Sequence, residues 1–230
     1  MCGRFTLTTT LDTAALRFKV RTGLEEADYK PRYNIAPTQA VIVVGDDEQR
    51  YLTRMRWGLV PSWAKDPAIG NRMINARAET VATKRAFRAA LRKRRCLVVA
   101  DGFYEWQKRD RTKQPFRIVL KTGEPFGFAG LWDTWRSPEG EEVKSCTIIT
   151  VDANELLRPI HDRMPAILTR EAEAVWLDPA IQEPARLLPL LTPYPSDEME
   201  CHAVDAWVNN PAHETPACVA PRKDYPPNRT

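Results

Sequence analysis

The sequence predicts an α+β protein: a single domain built on a curved, mostly antiparallel, barrel-like β-sheet with peripheral helices. Three observations predict this class. A chain of 230 residues suits one domain with one buried core. The apolar residues gather in short runs of strand length. The 19 prolines divide the chain into elements too short for long helices or a parallel βαβ array.

Seven runs are predicted to be strands, because each is apolar and is bounded by turn residues. In order they are Ala40–Val44, Leu52–Leu59, Cys96–Ala100, Phe103–Lys108, Phe116–Leu120, Phe126–Leu131 and Ser145–Val151. The dipeptide Asp101-Gly102 indicates a hairpin turn, and Thr122-Gly123-Glu124-Pro125 indicates another turn. Helices are expected at Thr10–Phe18, Glu79–Lys93, Asn154–Leu157 and Thr169–Leu177.

Residues 84–95 are the most basic part of a chain whose net charge is only +4, with seven basic side chains and no acid. Read as a helix, the segment places Arg85, Arg88, Arg92 and Arg95 on one stripe. Such a cationic face suits a polyanion, although an ordinary solvated helix face has the same composition.

The cysteines and histidines limit the chemistry further. Five scattered cysteines without a CxxC pair indicate reduced cytosolic thiols, and three histidines without ligand spacing predict no metal site. We expect no cofactor, no membrane segment, no secretory signal and a cytoplasmic location (at the nucleoid, if the source is bacterial). Residues 1–221 are expected to form the domain, as a monomer, and residues 222–230 a disordered tail.

Cys2 stands directly after the initiator methionine. Methionine aminopeptidase removes Met1 before a small residue, and the mature chain would then carry an α-amine and a thiol on adjacent carbons. A 1,2-aminothiol condenses with an aldehyde to an imine and then closes a thiazolidine ring. No internal cysteine has this chemistry. The alternative is that the position is an accident of sequence.

Glu105 lies among aromatic residues in Phe103-Tyr104-Glu105-Trp106. On a strand, Phe103 and Glu105 share one face, while Tyr104 and Trp106 share the other. Desolvation by the aromatic rings would raise the pKa of the carboxyl group toward that of a general acid–base. An outward-facing strand glutamate is the alternative.

Two further segments contain candidate polar groups. His161 lies on a loop framed by Pro159 and Pro165, where it could donate to an oxygen anion or simply pair with Asp162. Asn75 could orient a reacting carbonyl, or it could cap the basic helix.

The remaining candidates are suited to binding a strand. Arg77 could bind a phosphate in a fork or pair with Glu79. Trp63, which follows a proline turn, is the expected exposed stacking surface, whereas Trp57 is expected in the core.

Seven segments stand out together between residue 2 and about residue 221. They are Met1-Cys2-Gly3-Arg4-Phe5, Arg32-Tyr33-Asn34 with Ala36-Pro37, Trp57-Gly58 with Pro61 and Trp63, Ile74-Asn75-Ala76-Arg77, Ala100-Asp101-Gly102-Phe103-Tyr104-Glu105-Trp106, Ile160-His161-Asp162-Arg163-Met164-Pro165, and His202-Ala203-Val204 with Val208-Asn209-Asn210. In this order they resemble the SOS response-associated peptidase (SRAP) family of abasic-site processing proteins. Ala64 departs from the family, whose members often carry a second bulky aromatic there.

The resemblance implies a protein of the DNA damage response that binds single-stranded DNA and forms a covalent crosslink with the ring-opened aldehyde of an abasic site. It implies catalytic roles for Cys2, Asn75, Glu105 and His161. It also implies weak lyase activity and autoproteolytic release, and a preference that extends to single-strand/double-strand junctions. The implied DNA-binding residues are Arg4, Pro37, Trp63, Arg77, Arg85, Trp106, Thr150 and Arg163.

Two other functions fit the start of the chain. Class II glutamine amidotransferases also use an N-terminal cysteine as nucleophile, but they would require an Asn-Gly segment, and this chain has no Asn-Gly pair. The second alternative is a module that binds single-stranded DNA without covalent chemistry, in which Cys2 is incidental.

Overall fold

The structure is a computed structural model, and it describes residues 2–25, 27, 29–45, 50–109, 112–223 and 225. The strands are β1 (Phe5–Leu7), β2 (Arg21–Thr22), β3 (Arg32–Ile35), β4 (Ala40–Gly45), β5 (Tyr51–Trp57), β6 (Asn75–Arg77), β7 (Arg95–Ala100), β8 (Gly102–Arg109), β9 (Thr112–Leu120), β10 (Phe126–Arg136), β11 (Glu142–Asp152), β12 (Arg163–Pro165) and β13 (Met199–Ala203). The α-helices are α1 (Leu11–Phe18), α2 (Arg88–Lys93), α3 (Arg170–Trp176) and α4 (Pro184–Leu187). Short 3₁₀ helices occupy Pro67–Arg72, Leu188–Leu190, Ser196–Glu198, Ala206–Asn209 and Pro216–Cys218.

Five strands close into a barrel. Antiparallel pairing joins β5 to β4, β4 to β7, β7 to β10 and β10 to β11. A parallel pairing of β11 with β5 then completes the ring. β6 and β12 pair with β11, and β2 pairs with β5. The predicted α+β class with a barrel-like, mostly antiparallel sheet is therefore confirmed.

A second sheet, ordered β13-β9-β8-β1-β3, packs against the barrel. Aromatic side chains join the two layers. Phe5 of β1 lies 5.1 Å from Trp57 and 5.8 Å from Phe128 between ring centroids, and Phe103 of β8 lies 6.0 Å from Phe128. All four rings are buried, and each buried phenylalanine contributes about 1.5–3 kcal/mol of hydrophobic stabilisation. This aromatic cluster attaches the start of the chain to the barrel.

The predicted hairpin at Asp101-Gly102 is wrong, although both flanking strands exist. β7 pairs with β4 and β10, while β8 pairs with β1 and β9, so the chain crosses here from one sheet to the other. The buried carboxylate of Asp101 has a different use. It accepts hydrogen bonds from Thr6 Oγ1 (2.6 Å), Thr8 Oγ1 (2.7 Å) and Thr9 N (3.0 Å), and thereby anchors the segment after β1.

The long basic helix predicted at 79–93 is also wrong. Only Arg88–Lys93 is α-helical, and the preceding residues form successive turns. Arg95 does not share an exposed stripe, because it begins β7 and is fully buried. Its guanidinium donates to backbone carbonyls of two separate segments, including Leu91 O (3.0 Å) and Asp178 O (2.6 Å). The predicted helix at 154–157 is likewise a run of turns.

The C-terminal segment lies on the second sheet. Arg222 N donates to Ala203 O (2.8 Å), and the ring of Tyr225 lies 5.5 Å from that of Phe116. Residue 224 and residues 226–230 of the expected tail lie outside the described residues. In the described ranges, no helix is both long and apolar enough to cross a membrane.

Candidate functional site

The N-terminal strand brings residue 2 beside Glu105. β1 runs antiparallel to β8, with Phe5 opposite Phe103, and Tyr104 N extends the pairing by donating to Arg4 O (3.0 Å). Residues 2–4 therefore run along the part of β8 that carries Glu105. As predicted from alternation, Phe103 faces the main core, while Tyr104 packs in a smaller cluster with Trp106.

A long loop places Asn75 on the other side of residue 2. Leu59 N donates to Met73 O (3.1 Å), and Trp57 Nε1 donates to Ile74 O (2.9 Å), so both ends of the loop are fixed on the barrel. Gly58 makes this possible: its φ is +125°, and a Cβ there would lie 2.6 Å from Gly70 O. Asn75 then begins β6 and donates from Nδ2 to Cys2 O at 2.7 Å.

Cys2 and Glu105 are both buried, and the charge of Glu105 acts on the Cys2 thiol. Burial raises the pKa of the Cys2 thiol, and the charge of Glu105 raises it further. Burial likewise raises the pKa of the Glu105 carboxyl group, whose side chain is only 3% exposed, while the charge of His161 acts against this shift. The predicted desolvation of Glu105 is confirmed. A carboxyl group with a raised pKa next to a thiol is suited to proton transfer.

His161 and Asn75 complete this cluster. His161 Nδ1 lies 2.9 Å from Asp162 Oδ1 and 3.0 Å from Arg163 N. These two contacts require different forms of the ring, since Nδ1 must be protonated to donate to Asp162 and unprotonated to accept from Arg163. Asn75 Oδ1 is buried and, within the described residues, accepts no hydrogen bond. The amide oxygen is therefore available to an additional donor. We call Cys2, Asn75, Glu105 and His161 the reaction cluster.

Arg4 and Arg163, both expected among the DNA-binding residues, are engaged within the protein. Arg4 Nη1 donates to Asn34 Oδ1 (2.7 Å) and Val208 O (3.0 Å). Arg163 Nη1 contacts Glu79 and Asp152, each at 2.6 Å.

The second terminal nitrogen of the Arg163 guanidinium group is also hydrogen-bonded within the protein. Arg163 Nη2 donates to Glu79 Oε2 (3.1 Å) and to the buried Thr150 O (2.7 Å). Glu79 is thus the partner of Arg163, whereas the sequence had suggested Arg77 as its partner. The side chain of Thr150 is itself buried, with Oγ1 3.4 Å from Ala76 O.

Other predicted strand-binding residues are accessible. Arg77 and Arg85 are exposed, and the guanidinium of Arg85 lies 4.5 Å from the ring of Trp63. Trp63 is 44% exposed and Trp57 is buried, as predicted. Pro37 is half-buried. We call Trp63, Arg77 and Arg85 the exposed surface.

Trp106 is also half-buried, and its Nε1 donates to Asn209 Oδ1 (2.7 Å). The guanidinium of Arg4 lies 5.8 Å from the Trp106 ring. Trp106 thereby connects Arg4, directly before β1, to the turn that contains Asn209.

Sequence reasoning did not assign a role to Asn34, which is buried and joins the site to the C-terminal turns. Its Nδ2 donates to the carbonyls of Val208 (3.2 Å), Asn210 (3.0 Å) and His213 (2.8 Å), while its Oδ1 accepts from Arg4. An asparagine inside a strand is a weak signal for such a role, because the partners are about 175 residues away in sequence.

Within the part of the chain that the structure describes, no three His, Cys, Asp or Glu side chains group in a way that could hold an ion. A cavity of about 650 Å³ lies against β13 and is lined by residues that include Cys201, His202 and Arg222, but no member of the reaction cluster lines it.

The site thus belongs to an α+β protein whose second residue is held in a buried acid–base cluster beside an exposed arginine and tryptophan surface. The chain belongs to the SOS response associated peptidase (SRAP) family, whose sequence model matches residues 1–211. It is 47% identical over 221 residues to the abasic site processing protein YoqW of Bacillus subtilis, covering 95% of this chain and 99% of that protein. It is 38% identical to the abasic site processing protein HMCES of Rattus norvegicus, covering 84% of this chain and 65% of that protein.

Solved structures share the fold of this chain. A crystal structure of a protein from Bacteroides thetaiotaomicron matches with a TM-score of 0.88 at 27% identity, covering 96% of this chain and all of that chain. A crystal structure from Bordetella bronchiseptica matches with a TM-score of 0.77, also at 27% identity, covering 89% of this chain and all of that chain.

Proposed function

We propose that this protein processes abasic sites in single-stranded DNA by linking its own residue 2 covalently to the lesion. The names of its relatives support abasic sites as the substrate. The observation that carries the proposal is the convergence on residue 2: Asn75 donates to Cys2 O at 2.7 Å, and the charge of Glu105 acts on the Cys2 thiol in a buried pocket.

The reaction requires the removal of Met1, which frees the α-amine of Cys2. That amine attacks the aldehyde carbon of the ring-opened deoxyribose, and loss of water gives an imine. The thiol sulfur then adds to the imine carbon, its proton leaves, and the imine nitrogen gains a proton. The product is a five-membered thiazolidine, and water is the only molecule released. No oxidant or reductant is needed.

The reaction cluster supplies the proton transfers. The raised pKa of the Cys2 thiol leaves little thiolate at neutral pH, so a base has to remove the thiol proton as sulfur attacks. Glu105 is the group placed to accept that proton and to donate one during dehydration. We assign to Asn75 the orientation of residue 2, and to His161 a hydrogen bond to the sugar oxygen released on ring opening.

The exposed surface binds the strand. Arg77 and Arg85 face solvent and would pair with phosphates, and Trp63 offers its ring to a base. Single strands, including those at single-strand/double-strand junctions, are the expected substrates, because stacking on side chains requires unpaired bases. Such a protein would work as a monomer in the cytoplasm, at the nucleoid if its source is bacterial. The imine also permits β-elimination, so slow lyase activity belongs to the proposal.

The test is an adduct assay on protein whose free Cys2 terminus has been verified by mass spectrometry. The protein is incubated with an abasic oligonucleotide or an intact one and then heated in denaturant. We expect a heat-resistant adduct with the abasic strand only. Cys2→Ala should bind the strand and form no adduct. The matched control is Cys201→Ala, because Cys201 lies on β13 outside the reaction cluster and should behave as wild type.

Two outcomes would overturn the proposal. One is an adduct formed equally by Cys2→Ala, and the other is an unblocked wild-type protein that leaves the abasic strand unmodified over hours. Glutamine hydrolysis by the same sample would favour the amidotransferase alternative. Incubation continued after adduct formation tests autoproteolytic release, whose product would be an oligonucleotide that carries only a short N-terminal peptide.

A further inference from the structure

The 3₁₀ turn after β13 presents an exposed indole that the reaction does not use. Trp207 lies in the turn Ala206–Asn209 and is 49% exposed, although tryptophan is usually buried. The imidazole of His213 stacks on it, with centroids 3.4 Å apart and planes only 6° apart. An indole outside the core with half its surface in water is typical of a binding surface.

This ring pair is held in place before any ligand binds. Asp205 Oδ1 accepts from Trp207 N (2.7 Å), and His213 Nδ1 lies 2.7 Å from Trp207 O. The carbonyl of His213 accepts from the buried Asn34 (2.8 Å). Because the rings are already ordered, stacking of a flat ligand on them loses little conformational entropy.

The same turn contacts the region of the reaction cluster. Asn209 Oδ1 accepts from Trp106 Nε1 (2.7 Å), and Val208 O accepts from Arg4 (3.0 Å). Trp106 follows Glu105 directly on β8. Trp207 is therefore four covalent or hydrogen-bonded links from Glu105: two along the turn to Asn209, one hydrogen bond to Trp106, and one along β8.

A second and independent feature of this surface indicates an anionic ligand. Lys108 lies on the same face of β8 as Trp106, and it is directly opposite Lys113 of β9. Both lysines are exposed. Two like charges at opposing positions of an antiparallel pair repel each other, and a phosphate between them would remove that cost.

We propose that Trp207, stacked on His213, is a nucleobase platform and that Lys108 and Lys113 hold the adjoining phosphates of the same strand. This inference rests on the proposed function, and it extends the strand-binding surface along the Trp106 side of the reaction cluster. Trp63 and Arg85 do not lie on the Trp207 turn, β8 or β9, so they would contact a different part of the strand. The ligand is one to three unpaired nucleotides of the substrate strand, next to the lesion but outside the reaction.

The test compares affinity with adduct formation for Trp207→Ala, Trp207→Phe and Lys108→Ser/Lys113→Ser. Anisotropy of a labelled, undamaged single strand gives Kd at several salt concentrations. We expect Trp207→Ala to raise Kd at least about fivefold, and Trp207→Phe to keep most of the affinity, since phenylalanine retains an aromatic face. The double lysine variant should lower the slope of log Kd against log salt by about 1.4. Leu16→Ala removes an exposed apolar side chain on α1 and is the matched control.

Adduct formation at saturating DNA separates this inference from the proposed function. The platform variants should reach the wild-type rate there, because they do not touch the reacting atoms. The platform is wrong, while the crosslink proposal stands, if Trp207→Ala binds the strand as tightly as wild type does. The same holds if Trp207→Phe loses as much affinity as Trp207→Ala. A wild-type protein that binds the strand and forms no adduct would instead overturn the crosslink proposal and leave the platform standing.

A second experiment uses only the wild-type protein, so that its result does not depend on whether a variant folds correctly. Wild-type protein is irradiated with oligonucleotides that carry 5-bromodeoxyuridine at successive positions on either side of the abasic site, and the crosslinked peptides are sequenced. We expect the peptide that contains Trp207 to be labelled from one side of the lesion only. Labelling from neither side overturns the platform.

Discussion

The reaction cluster and the exposed surface differ in how the fold treats their polar groups. Cys2 and Glu105 are buried, and burial raises both of their pKa values. Arg77 and Arg85 are exposed, and solvent stabilises their charge. The buried groups are suited to changing protonation state during a reaction, whereas the exposed groups are suited to holding a charged strand. Substitutions in the two regions should therefore separate into effects on rate and effects on affinity.

Arg4 and Arg163 differ from Arg77 and Arg85, because both are engaged within the protein. Both were expected to bind DNA, as Arg77 and Arg85 were, yet their guanidinium groups donate to protein oxygens at 2.6–3.0 Å. These hydrogen bonds give Arg4 and Arg163 a role in positioning the site. Arg163 holds Glu79, which follows β6, and Thr150 of β11, and so it joins the strand that carries Asn75 to its neighbour.

The largest expected effect tests the buried side of the comparison. Glu105→Gln removes the proton acceptor, so the rate of adduct formation at saturating DNA should fall about 10²- to 10⁴-fold. The Kd for an undamaged strand should stay within twofold of wild type. Single-turnover adduct assays and anisotropy measure the two quantities. An unchanged rate would remove Glu105 from the mechanism.

The next effect tests whether Arg163 belongs with the fold or with the exposed surface. Arg163→Met loses several charge-assisted hydrogen bonds, one of them to the buried Thr150 O. We expect a loss of roughly 2 kcal/mol, or about 4–8 °C in Tm. The salt dependence of DNA binding should not change. If the slope of log Kd against log salt falls and Tm does not change, Arg163 is instead a phosphate ligand.

A smaller effect is expected for the exposed arginines. Arg77→Ala and Arg85→Ala should each weaken single-strand binding several-fold and lower the salt slope by about 0.7, the value for one phosphate contact to a single strand. Tm should change by less than about 2 °C, because both side chains face solvent. Arg88→Ala, on α2, is the matched control for loss of one exposed positive charge. An equal loss of single-strand affinity in all three variants would indicate a general effect of charge and would contradict specific contacts by Arg77 and Arg85.

The smallest effect concerns the cost of keeping Glu105 buried. Its pKa is raised in the folded state, so its contribution to stability is fully present below the ordinary pKa of glutamate and is lost as pH rises through the raised value. Glu105→Gln cannot ionise, and at pH 8 it should raise Tm by roughly 2–4 °C, the shift that about 1 kcal/mol produces in a chain of this size. Thermal unfolding at pH 4 should show a smaller gain. A gain that grows toward acid pH would contradict the raised pKa.

The long strands were predictable from sequence, and the short ones were not. All seven predicted strands exist, because six or more residues with an apolar face give a clear pattern. β1, β3, β6 and β12 have only three or four residues each, which is too few for periodicity to show. Their positions depend on pairing with distant strands. β6 begins with Asn75, and β1 begins three residues after Cys2 and so positions it.

Local patterns failed where distant partners competed for a residue. Asp101-Gly102 has the composition of a hairpin turn, but threonines in β1 and directly after it donate to the carboxylate, and the chain crosses between sheets. Arg95 belongs to a basic run, but carbonyls that include Asp178 O draw it into the interior. Thr8, which donates to Asp101, and Asp178, which accepts from Arg95, each lie more than 80 residues away from their partner in sequence.

The sequence by itself determined the fold class, the desolvated setting of Glu105, the burial of Trp57 and the exposure of Trp63, because these follow from apolar patterning and strand alternation. Tertiary structure decided which polar groups meet. Cys2 reaches Asn75 only because β1 and β6 pair with separate strands of the two sheets, and Arg163 is engaged only because Glu79 and Asp152 lie beside it. The physical reason is that apolar burial depends on composition along one element, whereas a hydrogen bond or ion pair requires atoms within about 3 Å of each other.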